Sequence, residues 1–135
     1  LVTGGARPEG ESYEGGNFLE PVIFADVTDD MTIAREEIFG PVQILLPFED
    51  EQDAIRIANG TAYGLVASIW TADGGRQMRL SKQLRAGQVF INNYGAAGGV
   101  ELPFGGVGHS GHGREKGFEA LYGFTSLKTV AAHHG

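Results

Sequence analysis

From Val42 to Asn92 the chain reads VQILLPFEDEQDAIRIANGTAYGLVASIWTADGGRQMRLSKQLRAGQVFIN, and the fold class follows from this stretch. Val42 to Phe48 is apolar on both faces, as a strand covered on both sides must be, although Pro47 removes one ladder donor near its end. Asp50, Glu51 and Asp53 then crowd a first helical turn, where carboxylates favour the positive end of the helix dipole. Ala54, Ile55, Ile57 and Ala58 supply an apolar stripe before Gly60. Leu65 to Trp70 reads as a second strand. Asp73 to Leu84 reads as a helix with Leu80 and Leu84 on one face and Gly87 beyond its end, and Gln88 to Asn92 as a third strand. Strands alternating with helices through short connections predict an α/β fold: a partial open, mostly parallel sheet of β-α-β-α-β order. Ligands in such sheets gather outside the carboxyl ends of the strands.

Upstream, Leu1 to Gly16 carries four glycines besides Gly16, a proline and mixed charges, and reads as loop beyond a strand stub at Leu1 to Thr3. Pro21 to Val27 is a β-branched run. The Thr28-Asp29-Asp30 cluster after it suits the start of a short helix, Met31 to Glu37, which Gly40-Pro41 stops. Downstream, Asn93 to His112 has no convincing period, and structureless loops of such length are usually functional or mobile. That glycine-rich loop is the first site candidate. A short helix around Glu115 to Leu121 and a strand from Phe124 to Ala131 are expected to follow.

The 135 residues allow one domain core, and 41% apolar with 20% charged residues fits neither disorder nor a membrane span. Ten Lys plus Arg against seventeen Asp plus Glu, with no basic block, argue against nucleic acid or an anionic membrane as partner. The absence of cysteine excludes disulfides, thiolate metal sites and a cysteine nucleophile within these residues. Leu1 with no charged-then-apolar leader after it is expected of an excised or processed chain.

Several constellations invite chemistry, each with a plainer reading. Gly106-Val107-Gly108-His109-Ser110-Gly111 fits the G-x-G-x-x-G spacing but lies deep in a loop, so tight turns compete with a pyrophosphate site. His109, His112 and Glu115 would align as metal ligands on a helix that Gly111 and Gly113 oppose, and no metal is expected. Ser68, Ser110 and Ser126 coexist with histidines and acids, yet none sits in the G-x-S-x-G elbow that exposes a nucleophile.

Five segments in order resemble the NAD(P)-dependent aldehyde dehydrogenase superfamily. They are Gly16 to Val22, Glu36-Glu37-Ile38-Phe39-Gly40-Pro41, Asn59 to Leu65, Gly87 to Asn92, and Pro103-Phe104-Gly105-Gly106 with Ser110-Gly111-His112-Gly113-Arg114-Glu115. The resemblance covers almost the whole chain and implies the C-terminal part of the catalytic domain over residues 1–122, with an oligomerisation strand and tail over 123–135. It implies oxidation of an aldehyde to a carboxylic acid with NAD or NADP, a homo-oligomer paired through the last strand, and a cytoplasmic setting. Glu37 would accept hydrogen bonds from the nicotinamide-side ribose hydroxyls, and Phe39 would pack beside the nicotinamide; a surface helix acid and a core ring are the plainer readings. Phe104 would line the aldehyde tunnel, and the variable stretch Gly95 to Leu102 would shape substrate choice. Glu101 there would favour a cationic aldehyde if it faced the tunnel.

Glu115 matches an acid that some relatives use in a charge relay, but Gly108 replaces the lysine that many carry in that network. In the family a thiolate attacks the aldehyde, hydride passes to the nicotinamide, and water hydrolyses the thioester. The cysteine, the general-base glutamate and the dinucleotide-binding domain precede the matching region. No catalytic residue is therefore expected in this chain, which is predicted inactive alone. The alternative from another class is a non-catalytic module that dimerises through its last strand.

Overall fold

A computed structural model of the chain describes residues 1–95 and 99–135. They divide into two compact units, Leu1–Thr61 and Ala62–Gly135.

In the first unit, β1 (Val22–Phe24) and β2 (Val42–Ile44) pair in parallel, Val22 opposite Val42 and Phe24 opposite Ile44. The stub at Thr3 adds an antiparallel bridge to Ile23 on the other edge of β1. Between the strands, α1 (Thr32–Arg35) is a single turn, shorter than the expected Met31 to Glu37 helix. Its N-cap is Met31, which makes no side-chain capping bond, and Glu36 already has extended ψ of 142°. A helix this short without a cap has little to extend it. β2 also stops early, three residues before Pro47. After it, α2 (Glu51–Ala58) starts as its acids imply: the Asp50 carboxylate accepts from the Asp53 N–H at 2.8 Å. Ile55 on its apolar stripe is buried, with Val22 and Val27 also buried in this unit.

Arg56 on α2 ties the unit's surface together, pairing with Asp29 and, at 2.8 Å, with Asp53. The Arg56 guanidinium holds the Asp29 carboxyl below its ordinary pKa of 3.8, first by hydrogen bonding and then by charge. Asp53 is lowered first by the Glu49 N–H it accepts and then by Arg56. Depressed folded values mean that these contacts stabilise fully above about pH 3.8 and are lost as pH falls through the lowered folded values. All three groups face solvent, so added salt weakens the effect. NMR titration of the carboxyls in the folded protein should find Asp29 below its ordinary range, and Arg56→Met should return it there. An unmoved Asp29 titration in the variant contradicts the assignment.

In the second unit, β3 (Val66–Ile69) and β4 (Gln88–Ile91) pair in parallel, Val66 opposite Gln88 and Ile69 opposite Ile91. The crossover is α3 (Gly74–Gln83), N-capped by the Asp73 carboxylate, which accepts from Arg76 N–H at 3.0 Å. At the carboxyl end of β4, Asn92 takes the left-handed φ of 50°, open to Asn more readily than to most residues. Its side chain continues the ladder, accepting from Thr71 N–H at 2.9 Å and donating to Thr71 C=O at 3.0 Å.

The α/β class and the parallel pairing are as the sequence predicts, with three corrections. Among the described residues the strands form two separate two-stranded parallel sheets, since β2 pairs upstream with β1 rather than downstream with β3. The strand expected from Phe124 to Ala131 is not formed. Alternation along the sequence marks strand character but names no pairing partner, and residues 125–135 lie exposed without regular structure. The helix expected at Glu115 to Leu121 is a 3₁₀ segment, Phe118–Gly123.

Little apolar surface is hidden. Only Val22, Val27, Ile55 and Ile69 are buried hydrophobics among the described residues, while Phe48, Trp70, Tyr94, Phe118 and Tyr122 are exposed. The accessible surface is 10448 Å². A folded monomer of this mass would expose about 6,800 Å², and even two free bodies of half the mass only about 8,200 Å². No described helix is long and apolar enough to cross a membrane.

Candidate functional site

In the first unit the sequence-predicted residues Glu37 and Phe39 lie on the segment between α1 and β2. Two short-range bonds shape it, Gly40 N–H to Ile38 C=O at 2.7 Å and Val42 N–H to Gly40 C=O at 2.8 Å, the i to i+2 pattern of γ-turns. This folding leaves the Phe39 ring 98% exposed. The Glu37 carboxylate is also exposed and carries no hydrogen bond or ion pair among the described residues. Within its own unit Phe39 fills no core, and Glu37 lies on the surface beyond the helix, which ends at Arg35. An exposed aromatic ring two residues along the chain from an unengaged carboxylate has the chemistry a ribosyl-nicotinamide needs, an acceptor for vicinal hydroxyls and a flat face for a heteroaromatic ring.

In the second unit Phe104 and Glu115 come together through backbone rather than side chains. The N–H of each donates to the carbonyl of the other at 2.6 Å, closing an antiparallel bridge. The half-buried Phe104 ring borders two cavities. One, of about 270 Å³, is floored by Val66, Gln88 and Phe90. The other, of about 680 Å³, is bordered by Arg114, Glu115 and Glu119. The Glu115 carboxylate has no partner among the described residues.

The glycine-rich loop does not stay at the carboxyl edge of the sheet. It leaves β4 there, but Gly105 to His109 return to the amino ends of β3 and β4, where Gly64 C=O accepts from Gly87 N–H and Val107 N–H, both at 3.0 Å. His109 N–H donates to Ala62 C=O at 2.8 Å. Ser110 Oγ accepts from Gly64 N–H at 3.0 Å, which engages the hydroxyl considered above as a nucleophile. The G-x-G-x-x-G spacing is thus explained by packing: a Cβ on Gly108 would lie 2.3 Å from Ala62 O, and one on Gly106 2.5 Å from Ser110 Cβ. Of the variable stretch Gly95 to Leu102, residues 96–98 lie outside the described residues. Glu101 is exposed.

Sequence reasoning did not single out Lys116, an exposed residue near Phe104. It stands at φ 59°, a conformation that costs a non-glycine residue on the order of 1 kcal/mol or more, and its Nζ lies 5.7 Å from the Phe104 ring centroid. The available signal was the Lys116-Gly117 step, a turn mark directly after the matched Gly113-Arg114-Glu115. Among the described residues no three His, Asp or Glu side chains converge as metal ligands.

Comparison with known proteins bears on both units. The profile of the aldehyde dehydrogenase family matches residues 1–130. A betaine aldehyde dehydrogenase of Brucella anthropi is 50% identical over 135 residues, all of this chain and 28% of that protein. The solved aldehyde dehydrogenase KauB of Pseudomonas aeruginosa superposes with TM-score 0.87 at 48% identity, over 95% of this chain and 25% of that one. A Mycobacterium tuberculosis aldehyde dehydrogenase solved with NAD+ gives TM-score 0.85 at 48% identity, over 93% and 25%. The chain therefore spans about a quarter of the length of the relatives it matches.

Proposed function

The chain belongs to the aldehyde dehydrogenase family, and from that premise we propose that it supplies one wall of the active site of an enzyme oxidising an aldehyde to a carboxylate. Residues 1–122 are the C-terminal part of the catalytic domain in this reading, and 123–135 pair with a neighbouring subunit's sheet. A hydride, carrying both electrons of the oxidation, leaves the aldehyde carbon, water supplies the second carboxylate oxygen, and two protons are released. NAD(P)+ is the hydride acceptor when bound. Glu37 holds the ribose hydroxyls, Phe39 restricts the nicotinamide, and Phe104 borders the aldehyde. The cysteine that attacks the aldehyde lies outside these residues.

One observation carries this reading. Phe39, 98% exposed, stands two residues along the chain from Glu37, whose carboxylate has no partner among the described residues, so both side chains are open to a ligand. The excess accessible surface supports the same view: its apolar share belongs against the remaining three quarters of an enzyme of the relatives' length.

The test is kinetic and uses the complete polypeptide carrying this segment. Glu37→Gln weakens a charge-assisted acceptor and should raise the KM for the cofactor by about tenfold, in line with 1.5–3 kcal/mol for hydrogen bonds to charged groups. Phe39→Ala should raise it too. Thermal midpoints measured on both variants separate a lost cofactor contact from lost stability. Unchanged cofactor KM in both variants would refute the assignment.

A further inference from the structure

Arg114, in the matched run from Ser110 to Glu115, crosses the loop that begins at Phe104. That loop is closed at its ends, where Phe104 and Glu115 exchange two 2.6 Å backbone bonds. Within it the half-buried Arg114 donates from one nitrogen, Nη1, to Gly106 C=O at 3.1 Å and to Gly113 C=O at 2.6 Å. The donor is charged, which makes these bonds stronger than bonds between neutral groups.

One end of this tie is anchored on the sheet. Gly106 is buried, and Val107 after it donates to Gly64 C=O at 3.0 Å, just ahead of β3. The other end reaches Phe104 from both sides. Arg114 directly precedes Glu115, the bridge partner of Phe104, and its aliphatic stem lies over Gly105, the residue after Phe104. A Cβ on Gly105 would stand 3.3 Å from Arg114 Cδ and 2.7 Å from Gly113 O. Gly105 has φ of 154°, a backbone that glycine adopts and other residues rarely do.

We propose that Arg114 is a positioning residue for the aldehyde, acting through Phe104: its guanidinium holds the backbone on both sides of Phe104, and that backbone aims the ring at the substrate. The inference rests on the reading of Phe104 as part of the aldehyde wall. The Phe104 ring is half-buried, so packing encloses only part of it, and the direction of its Cα–Cβ bond does much to place it. That direction is set by the bridge to Glu115 and by the run Gly105-Gly106, and Arg114 touches both elements. A direct contact between Arg114 and the aldehyde would act without the ring, and so would a contribution to folding alone.

The experiment is a double-mutant cycle on the complete polypeptide, with whichever of propanal, hexanal and benzaldehyde it oxidises fastest. Phe104→Ala and Arg114→Met should each raise the aldehyde KM by about fivefold or more while leaving the cofactor KM unmoved. With Phe104→Ala already present, Arg114→Met should add less than about twofold, because the ring it positions is gone. Arg114→Lys keeps the charge and a donor and should fall between wild type and Arg114→Met; it carries the same cycle if the methionine variant does not fold. An aldehyde KM unmoved by Arg114→Met, or raised equally with and without the ring, overturns the proposal and leaves the aldehyde dehydrogenase reading intact. Phe104→Ala without effect, or oxidation of none of the three aldehydes, overturns that reading of the wall and the proposal with it.

Discussion

Incubated by itself with an aldehyde and NAD(P)+, the 135-residue chain is expected to reduce no cofactor above a matched blank. The family chemistry passes through a covalent bond to a thiolate, and no residue of this chain is cysteine. Serine does not replace it: the Ser110 hydroxyl accepts the Gly64 N–H, and neither Ser68 nor Ser126 occupies an exposed nucleophile elbow. Losing a nucleophile removes the covalent route outright, so the deficit is total rather than graded. Cofactor binding should be weak or absent as well, since Glu37 and Phe39 can offer only a small share of the contacts a dinucleotide makes. Reduction that grows with chain concentration would contradict this, and would require a catalytic group among residues now assigned to packing.

The second large effect concerns Gly87. A Cβ built there falls 1.6 Å from the Gly105 carbonyl oxygen and 3.1 Å from Gly106 Cα. No rotamer relieves an overlap with backbone, so either the glycine-rich loop lifts from the amino ends of β3 and β4 or the strand start moves. In both cases the shared acceptor at Gly64 C=O is disturbed, together with the bonds from Gly87 and Val107 that hold the loop on the sheet. Gly87→Ala in the complete polypeptide should therefore cost about 3 kcal/mol or more, at the upper end for overpacking. Gly74→Ala is the matched control. It adds the same methyl at the first residue of α3, where nothing lies within 4 Å, and should be neutral or stabilising by about 0.5–1 kcal/mol. Equal thermal midpoints for the two variants would show that the loop does not depend on this close approach.

How far the sequence reveals this molecule depends on whether a signal is local. Helices α2 and α3 are legible because Asp50 and Asp73 cap them and their apolar positions repeat at helical spacing. Strands β3 and β4 are legible as short β-branched runs between turn residues. The partner of β2 is not, because three residues at Val42 to Ile44 encode strand character but no address, and β1 and β3 are equally parallel candidates. The strand expected after Phe124 shows the same limit: its alternation is present in the sequence, but alternation encodes no pairing partner.

The site divides in a similar way. Glu37, Phe39, Phe104 and Glu115 are found through motif resemblance, which identifies positions without conveying their surroundings. That Phe39 would be bare, that Glu115 would meet Phe104 through backbone bonds, and that the G-x-G-x-x-G spacing would serve close packing all required coordinates. Lys116 escaped because a left-handed lysine has no compositional mark beyond the glycine after it.

A structure of the complete polypeptide with NAD(P)+ bound tests the central claim most directly. The account predicts the Glu37 carboxylate within hydrogen-bond distance of the nicotinamide-side ribose hydroxyls and the Phe39 ring against the nicotinamide. A bound cofactor touching neither side chain would contradict it.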